Sequence, residues 1–162
     1  MDTKFENKWT IWYHNSKDDW TINGYKKFYT IEDIKDYWKL YNNWSKLGTI
    51  NNKHFFIMKN DITPIWEDKN NKNGGCWSYK INDNASQELW DELSLYLVTE
   101  SLSSVKNDIV GLSACLKKNN FSVIKIWNKD SKNNSLSLIK QKILKKYGHD
   151  IIYIAHMPDI KV

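Results

Sequence analysis

The sequence predicts an α+β fold: a mostly antiparallel β-sheet with three helices gathered on one face. Three observations predict it. Short aromatic and aliphatic runs alternate with polar turns; apolar residues recur at helical spacing in three places; and most connections are too short for parallel crossovers. No linker rich in Pro, Gly or Ser and no internal repeat divides the chain, so residues 1–162 read as one domain.

The elements follow in order. Trp9-Thr10-Ile11-Trp12-Tyr13-His14 is aromatic and partly alternating, a strand. The polar segment Asn15 to Asn23 is a loop that carries Trp20. Tyr25 to Tyr29 resumes strand character, and Thr30 reads as the N-cap of a helix with Ile34, Tyr37, Trp38 and Tyr41 inside it. His54 to Lys59 is a short apolar strand. Asp61 to Gly75 contains Pro64, asparagines and paired glycines, which predicts a long exposed loop before the strand Cys76 to Ile81. Ser86 to Ser101 is a second helix with Leu89, Trp90, Leu93 and Leu97 facing inward. Strands Ile109–Leu116 and Ser122–Trp127 flank the turn Lys117-Lys118-Asn119-Asn120. Leu136, Ile139, Ile143, Leu144 and Tyr147 mark a third helix, and Ile151 to His156 closes the chain as a strand.

Composition narrows the function. With 41% hydrophobic and 27% charged residues the chain reads as globular, and a mean hydropathy of -0.68 with no long apolar run predicts no membrane span. The opening Met1-Asp2-Thr3-Lys4-Phe5-Glu6 has no hydrophobic signal region, so a cytoplasmic protein is expected. Cys76 and Cys115, the only cysteines, form neither a disulfide framework nor a zinc set and fit a reducing compartment. The net charge of +5 is compatible with a polyanionic partner. All 24 basic residues are lysine, so phosphate recognition must use point charges and backbone amides rather than guanidinium forks. The Lys, Asn and Ile usage also matches the codon bias of an AT-rich genome.

Nine tryptophans are the outlying feature, and most are expected in the core. Trp20 and Trp66 sit in polar loops instead. Either each folds back onto the domain surface or each awaits something that covers it. Glu67 and Asp68 directly follow Trp66.

The ordered motifs carry a resemblance. Trp9-x-x-Trp12, Thr30 to Asn42 around Tyr37-Trp38-Lys39-Leu40-Tyr41, Ile62-Thr63-Pro64-Ile65-Trp66-Glu67-Asp68, Gly74-Gly75-Cys76-Trp77 and Ile124-Lys125-Ile126-Trp127 together resemble the translation initiation factor 4E family, which binds the messenger RNA cap. The resemblance spans essentially the whole chain; eight tryptophans fall on family positions and Trp44 is extra. It implies a curved sheet with helices on the convex face and a cap slot on the concave face.

In that resemblance Trp20 and Trp66 stack on 7-methylguanine, Glu67 accepts its ring NH and amino hydrogens, and Trp127 lies near the methyl group. The residue types suit the ligand. Methylation at nitrogen 7 makes the base cationic, so each indole adds cation–π attraction to stacking, and a carboxylate complements the charge. Asp68 reads as loop-shaping rather than as a ligand. The phosphate match departs: Cys76 and Lys117 stand where the family has arginine, with Lys118 and Lys125 as neighbouring charges, Lys125 facing either side of the sheet. The resemblance further implies a partner face on the helices at Ile34, Trp38, Glu92 and Leu95, taking a 4G-like scaffold or an inhibitory binding protein. The alternative for Trp38 is the core. Asp91 and Phe5 depart from that face's usual residues.

No cofactor, metal or membrane is expected, and the chain is expected to be a monomer. An enzyme is disfavoured: Glu67-Asp68 and Glu88, Asp91, Glu92 make no recognisable metal cluster, Gly74-Gly75 is no P-loop, and His14, His54, His149 and His156 show no triad spacing. A cap-binding repressor and a general single-stranded RNA binder remain as alternatives, the latter predicting no preference for the methylated base.

Overall fold

A computed structural model describes residues 4–14, 19–44, 54–116, 120–148 and 150–157. Seven strands form one curved sheet: β1 (Lys4–His14), β2 (Tyr25–Asp33), β3 (His54–Lys59), β4 (Gly75–Asn82), β5 (Ile109–Leu116), β6 (Phe121–Asn128) and β7 (Ile151–Ala155). Their order is β2-β1-β3-β5-β6-β4-β7, and each neighbouring pair is antiparallel. Helices α1 (Ile34–Asn43), α2 (Asp83–Val98) and α3 (Gln141–Tyr147) complete the α+β fold expected from the sequence.

Strand alternation sorts side chains to two faces. Trp9 and Ile11, Phe55 and Ile57, Leu112 and Ala114, Ile124 and Ile126, and Trp77 and Tyr79 join Trp90, Leu93 and Leu97 of α2 in the main core. Trp44, the tryptophan outside the family pattern, belongs to it too, packed against Phe55 and Trp90 at ring separations of 5.1 and 6.1 Å. Trp12, Phe56, Met58, Cys76, Val110 and Trp127 form a smaller cluster on the opposite, concave face.

All three helices differ in their bounds from the sequence reading; α2 begins and ends three residues earlier than Ser86–Ser101, capped by Asn82. Thr30 is not an N-cap: it lies in β2, paired with Thr10. Asp33 caps α1 instead, its carboxylate accepting from the Asp36 amide at 2.9 Å. Pairing of β2 with β1 extends strand geometry past a residue whose local chemistry suits a cap, so tertiary hydrogen bonding overrides local preference. The third helix is shorter than its apolar spacing implied. Leu136–Leu138 is a separate 3-10 turn, and Ile139 makes an isolated bridge to Ser103 before α3 begins. No helix among the described residues is long and apolar enough to cross a membrane.

Candidate functional site

The concave face carries His14 from β1, His54 and Phe56 from β3, Ser113 and Cys115 from β5, Lys125 and Trp127 from β6, and Cys76 and Ser78 from β4. A cavity of about 560 Å³ opens over this face, lined by all of these residues except His14. Its walls come from two loops. Trp20 follows β1, and Trp66 with Glu67 lies between β3 and β4; all three line the same cavity. Neither indole is packed away: Trp20 is 51% exposed and Trp66 47%. Trp20 folds back with one face against His14, yet both tryptophans stay about half exposed.

The loop bearing Trp66 is only partly the exposed loop expected. Pro64 and Asn71 are buried. Asp68 accepts from the Thr63 amide (2.9 Å), the Thr63 hydroxyl (2.6 Å) and the Asn70 amide (2.8 Å), while Asn71 donates to the carbonyls of Thr63 and Ile65. Burial alone would raise the Asp68 carboxyl, but these hydrogen bonds together hold it below the ordinary aspartate value. Asp68 is the loop-shaping residue its sequence position implied. Glu67 differs: it is exposed and makes no hydrogen bond or ion pair among the described residues. The Tyr25 phenol is raised first by burial and then by the Glu67 charge, which puts this carboxylate within electrostatic reach of the Trp20 wall.

The Trp20 wall is anchored from behind. Its indole lies on the His14 imidazole with ring centroids 3.8 Å apart and planes 10° from parallel. His14 Nε2 donates to the Asp19 carbonyl at 2.6 Å. Gly24 is buried against both groups; a Cβ there would collide with the Asp19 carbonyl and lie 3.1 Å from His14 Nε2. Gly24→Ala is therefore expected to push the Asp19 carbonyl away and misplace Trp20. Thermal unfolding should fall by a few degrees, and tryptophan emission should shift toward that of Trp20 in water; unchanged emission would count against this anchoring.

Trp127 forms part of the floor. It is buried, donates from Nε1 to Ser113 Oγ at 3.0 Å, and meets His156 at a ring separation of 4.9 Å. Cys76 lies beside it, 3.8 Å from His156 Nε2. Burial pushes the Cys76 thiol up to about 12, against the smaller opposing effect of Lys125, so it is a neutral thiol where the resemblance has arginine. Burial and then the Lys125 charge push His156 down to about 4, leaving it neutral at pH 7. Lys125, which the sequence left to either face, is on the cavity side, beside Ser78 and Ser113 in the sheet. Lys117 and Lys118 lie outside the described residues. Sequence reasoning missed Tyr25, Phe56 and His156 as lining residues, although alternation along β3 and from Ile152 through Ile154 to His156 carried the signal. Gly74 and Gly75 have a structural use: a Cβ on either would strike backbone, at Asn128 and Ile154 respectively.

On the helical face, Trp38 is not in the core. It is 45% exposed and meets Tyr37 and Tyr41 edge-on. Ile34 and Leu95 are half-buried against the main core. Glu92 is already paired, with Lys146 Nζ at 2.8 Å. The Tyr37 hydroxyl donates to the Asp91 carbonyl at 3.0 Å and joins α1 to α2. Burial lifts the Asp91 carboxyl to about 6, although Gln87 donates to it at 2.8 Å. Phe5 packs against the core.

A curved antiparallel sheet with a tryptophan-walled slot on one face and an aromatic helix surface on the other defines a binding protein for a flat ligand and a second partner. The comparisons place it. The family model for eukaryotic initiation factor 4E matches residues 4–160. The chain is 32% identical over 162 residues to eukaryotic translation initiation factor 4E-1 of Hordeum vulgare subsp. vulgare, covering 93% of this chain and 73% of that protein. It is 30% identical over 141 residues to the isoform 4E factor of Solanum lycopersicum, covering 83% and 70%. Among solved structures, C. elegans eIF4E-3 with the 4E-binding protein Mextli and a cap analog matches with a TM-score of 0.82 at 23% identity, over 99% of each chain. Ascaris suum eIF4E-3 with the m7G cap matches at 0.79 and 24%, over 99% and 96%. The chain belongs to the eukaryotic initiation factor 4E family.

Proposed function

We propose that residues 1–162 act as one cap-binding domain that holds the 7-methylguanosine end of messenger RNA and promotes translation initiation through a protein partner. Family membership makes it a binding factor rather than an enzyme. The observation that carries the reading is that two half-exposed indoles from separate loops line one cavity with the exposed carboxylate of Glu67. Trp20 and Trp66 stack on the cationic base, Glu67 accepts from its ring NH and amino group, and Trp127 lies at the methyl group. Phosphates extend over Lys125, with Lys117 and Lys118 the further candidates. A cap or cap analog in several related structures, and 4E-binding proteins in several, support both halves of this reading. A scaffold or inhibitory protein docks over Trp38, Ile34, Leu95 and Glu92, with Glu92 exchanging or sharing Lys146. The setting is the cytoplasm, where capped messages are translated.

Tryptophan emission titrated with 7-methyl-GTP and with GTP tests the slot. Strong quenching by the methylated nucleotide alone is expected; equal quenching by both would leave a general nucleotide binder. Lys125→Ala should weaken 7-methyl-GTP by roughly 1 kcal/mol, about fivefold, while barely changing 7-methylguanosine, which has no phosphates. Equal loss for both ligands would remove Lys125 from the phosphate path.

A further inference from the structure

We propose that His14 is a positioning residue forming a third layer of the stack, and that its imidazole must be neutral for Trp20 to hold a cationic base. This rests on the cap-binding reading. Trp20 lines the cavity and His14 does not. His14 is 3% exposed and lies 3.8 Å from the indole, nearly parallel to it. One indole face is therefore turned to the imidazole; His54 and Tyr25 also meet the ring, at 5.6 and 6.5 Å, and the exposed half of Trp20 is left for the ligand.

The charge argument follows from the indole's quadrupole, whose two faces draw on one π system. A cation on one face weakens that system's attraction for a cation on the other. Two stacking separations also put an imidazolium and a 7-methylguanine only about 7 Å apart, where like charges at a protein surface still repel appreciably. A neutral imidazole avoids both effects while keeping the indole oriented.

The hydrogen bonding fits a neutral ring. Because the Asp19 carbonyl can only accept, Nε2 carries the proton, and Nδ1 is where a second proton would add. Among the described residues, the groups facing His14 are the Asp19 carboxylate from the loop, Tyr25 from β2 at 4.7 Å, and His54 from β3 at 6.1 Å. His54 in turn meets the Cys115 thiol of β5 at 3.1 Å. Asp19 favours the imidazolium; a protonated His54 and a bound cationic base oppose it. A second proton, added at Nδ1, would change the layer behind Trp20 from neutral to charged.

His14→Phe keeps an aromatic layer that cannot titrate. Affinities of the natural protein and this variant for the dinucleotide cap analogue m7GpppA are measured from pH 7.5 to 5.5. Taking their ratio at each pH cancels titration of the ligand itself. The natural protein should lose affinity relative to His14→Phe by on the order of tenfold across that range. His14→Ala should bind about 3- to 10-fold less tightly than His14→Phe at pH 7.5, because the layer itself is gone. A ratio flat with pH, while both proteins still prefer the methylated cap over GpppA, overturns the His14 proposal alone. Loss of methyl preference in the natural protein overturns the cap reading and this proposal with it. Should His14→Phe fail to fold, emission of the ligand-free natural protein and of Trp20→Phe is followed over the same range. A quenching step present only in the natural protein supports the contact, since an imidazolium stacked on Trp20 alters its emission; its absence overturns it.

Discussion

Trp66→Ala is expected to lower affinity for 7-methyl-GTP by roughly 2–4 kcal/mol, about 30- to 1,000-fold, while leaving the melting temperature nearly unchanged. The magnitude combines stacking, about 1–3 kcal/mol per base, with a cation–π contribution of about 0.5–2 kcal/mol. The two are properties of one contact and do not simply add. The unchanged stability follows from exposure: about half of the Trp66 ring is already in solvent, and the turn is held by Asp68 and Asn71 rather than by the indole. GTP, which lacks the ring charge, should lose less than 7-methyl-GTP on the same substitution. Isothermal titration with both nucleotides measures the difference, and a variant that binds 7-methyl-GTP within threefold of the natural protein would remove Trp66 from the slot.

Asn128→Ala is expected to cost about 3–5 kcal/mol of folding stability. Asn128 is fully buried at the end of β6, and its amide joins five partners. Its oxygen accepts from the Gly75 amide (3.1 Å) and the Tyr153 hydroxyl (2.8 Å). Its nitrogen donates to the Asp108 carboxylate (3.0 Å) and to the carbonyls of Asp130 and Asn133 (both 2.9 Å). Alanine would remove all five bonds; the Asp108 carboxylate would keep only the Asp130 amide and the Asp130 carbonyl only the Asn133 amide, while the other three partners would lose this one. For a chain of this size the loss corresponds to a melting-temperature drop on the order of 10 °C. Urea unfolding measures it; a cost below about 1 kcal/mol would mean that water replaces the amide freely.

Much of this architecture was legible in the residues. Short apolar runs bounded by polar turns placed β3 and β5 at their observed bounds; β3 is apolar throughout because Phe55 and Ile57 face the helices while Phe56 and Met58 face the slot. Trp20 and Trp66 stood out because polar loops offered no burial for them. What escaped was decided by tertiary contacts. Thr30 had the chemistry of a cap, but pairing with Thr10 held it in a strand. Leu136 and Ile139 had helical spacing relative to Ile143, yet a bridge to Ser103 interrupts the run. The side of the sheet taken by Lys125 depended on register with Ser78 and Ser113, which only strand pairing fixes. His14 looked like an ordinary strand histidine; the stack behind Trp20 needs the return of the loop through Asp19 and Gly24 to bring the two rings together.

The knot around Asp68 has a consequence for how fast the slot can fill. Since the turn presenting Trp66 takes its shape from internal hydrogen bonds, a ligand arriving there need not first freeze that segment, and little of its binding energy is spent on ordering it. The same knot marks where acidity reaches this wall. A carboxyl held below its unfolded value contributes stability that is complete above that unfolded value and disappears as pH drops through the folded one. Near neutrality the Trp66 wall therefore keeps its form whatever small changes in acidity the cell imposes, and only strong acid unties it.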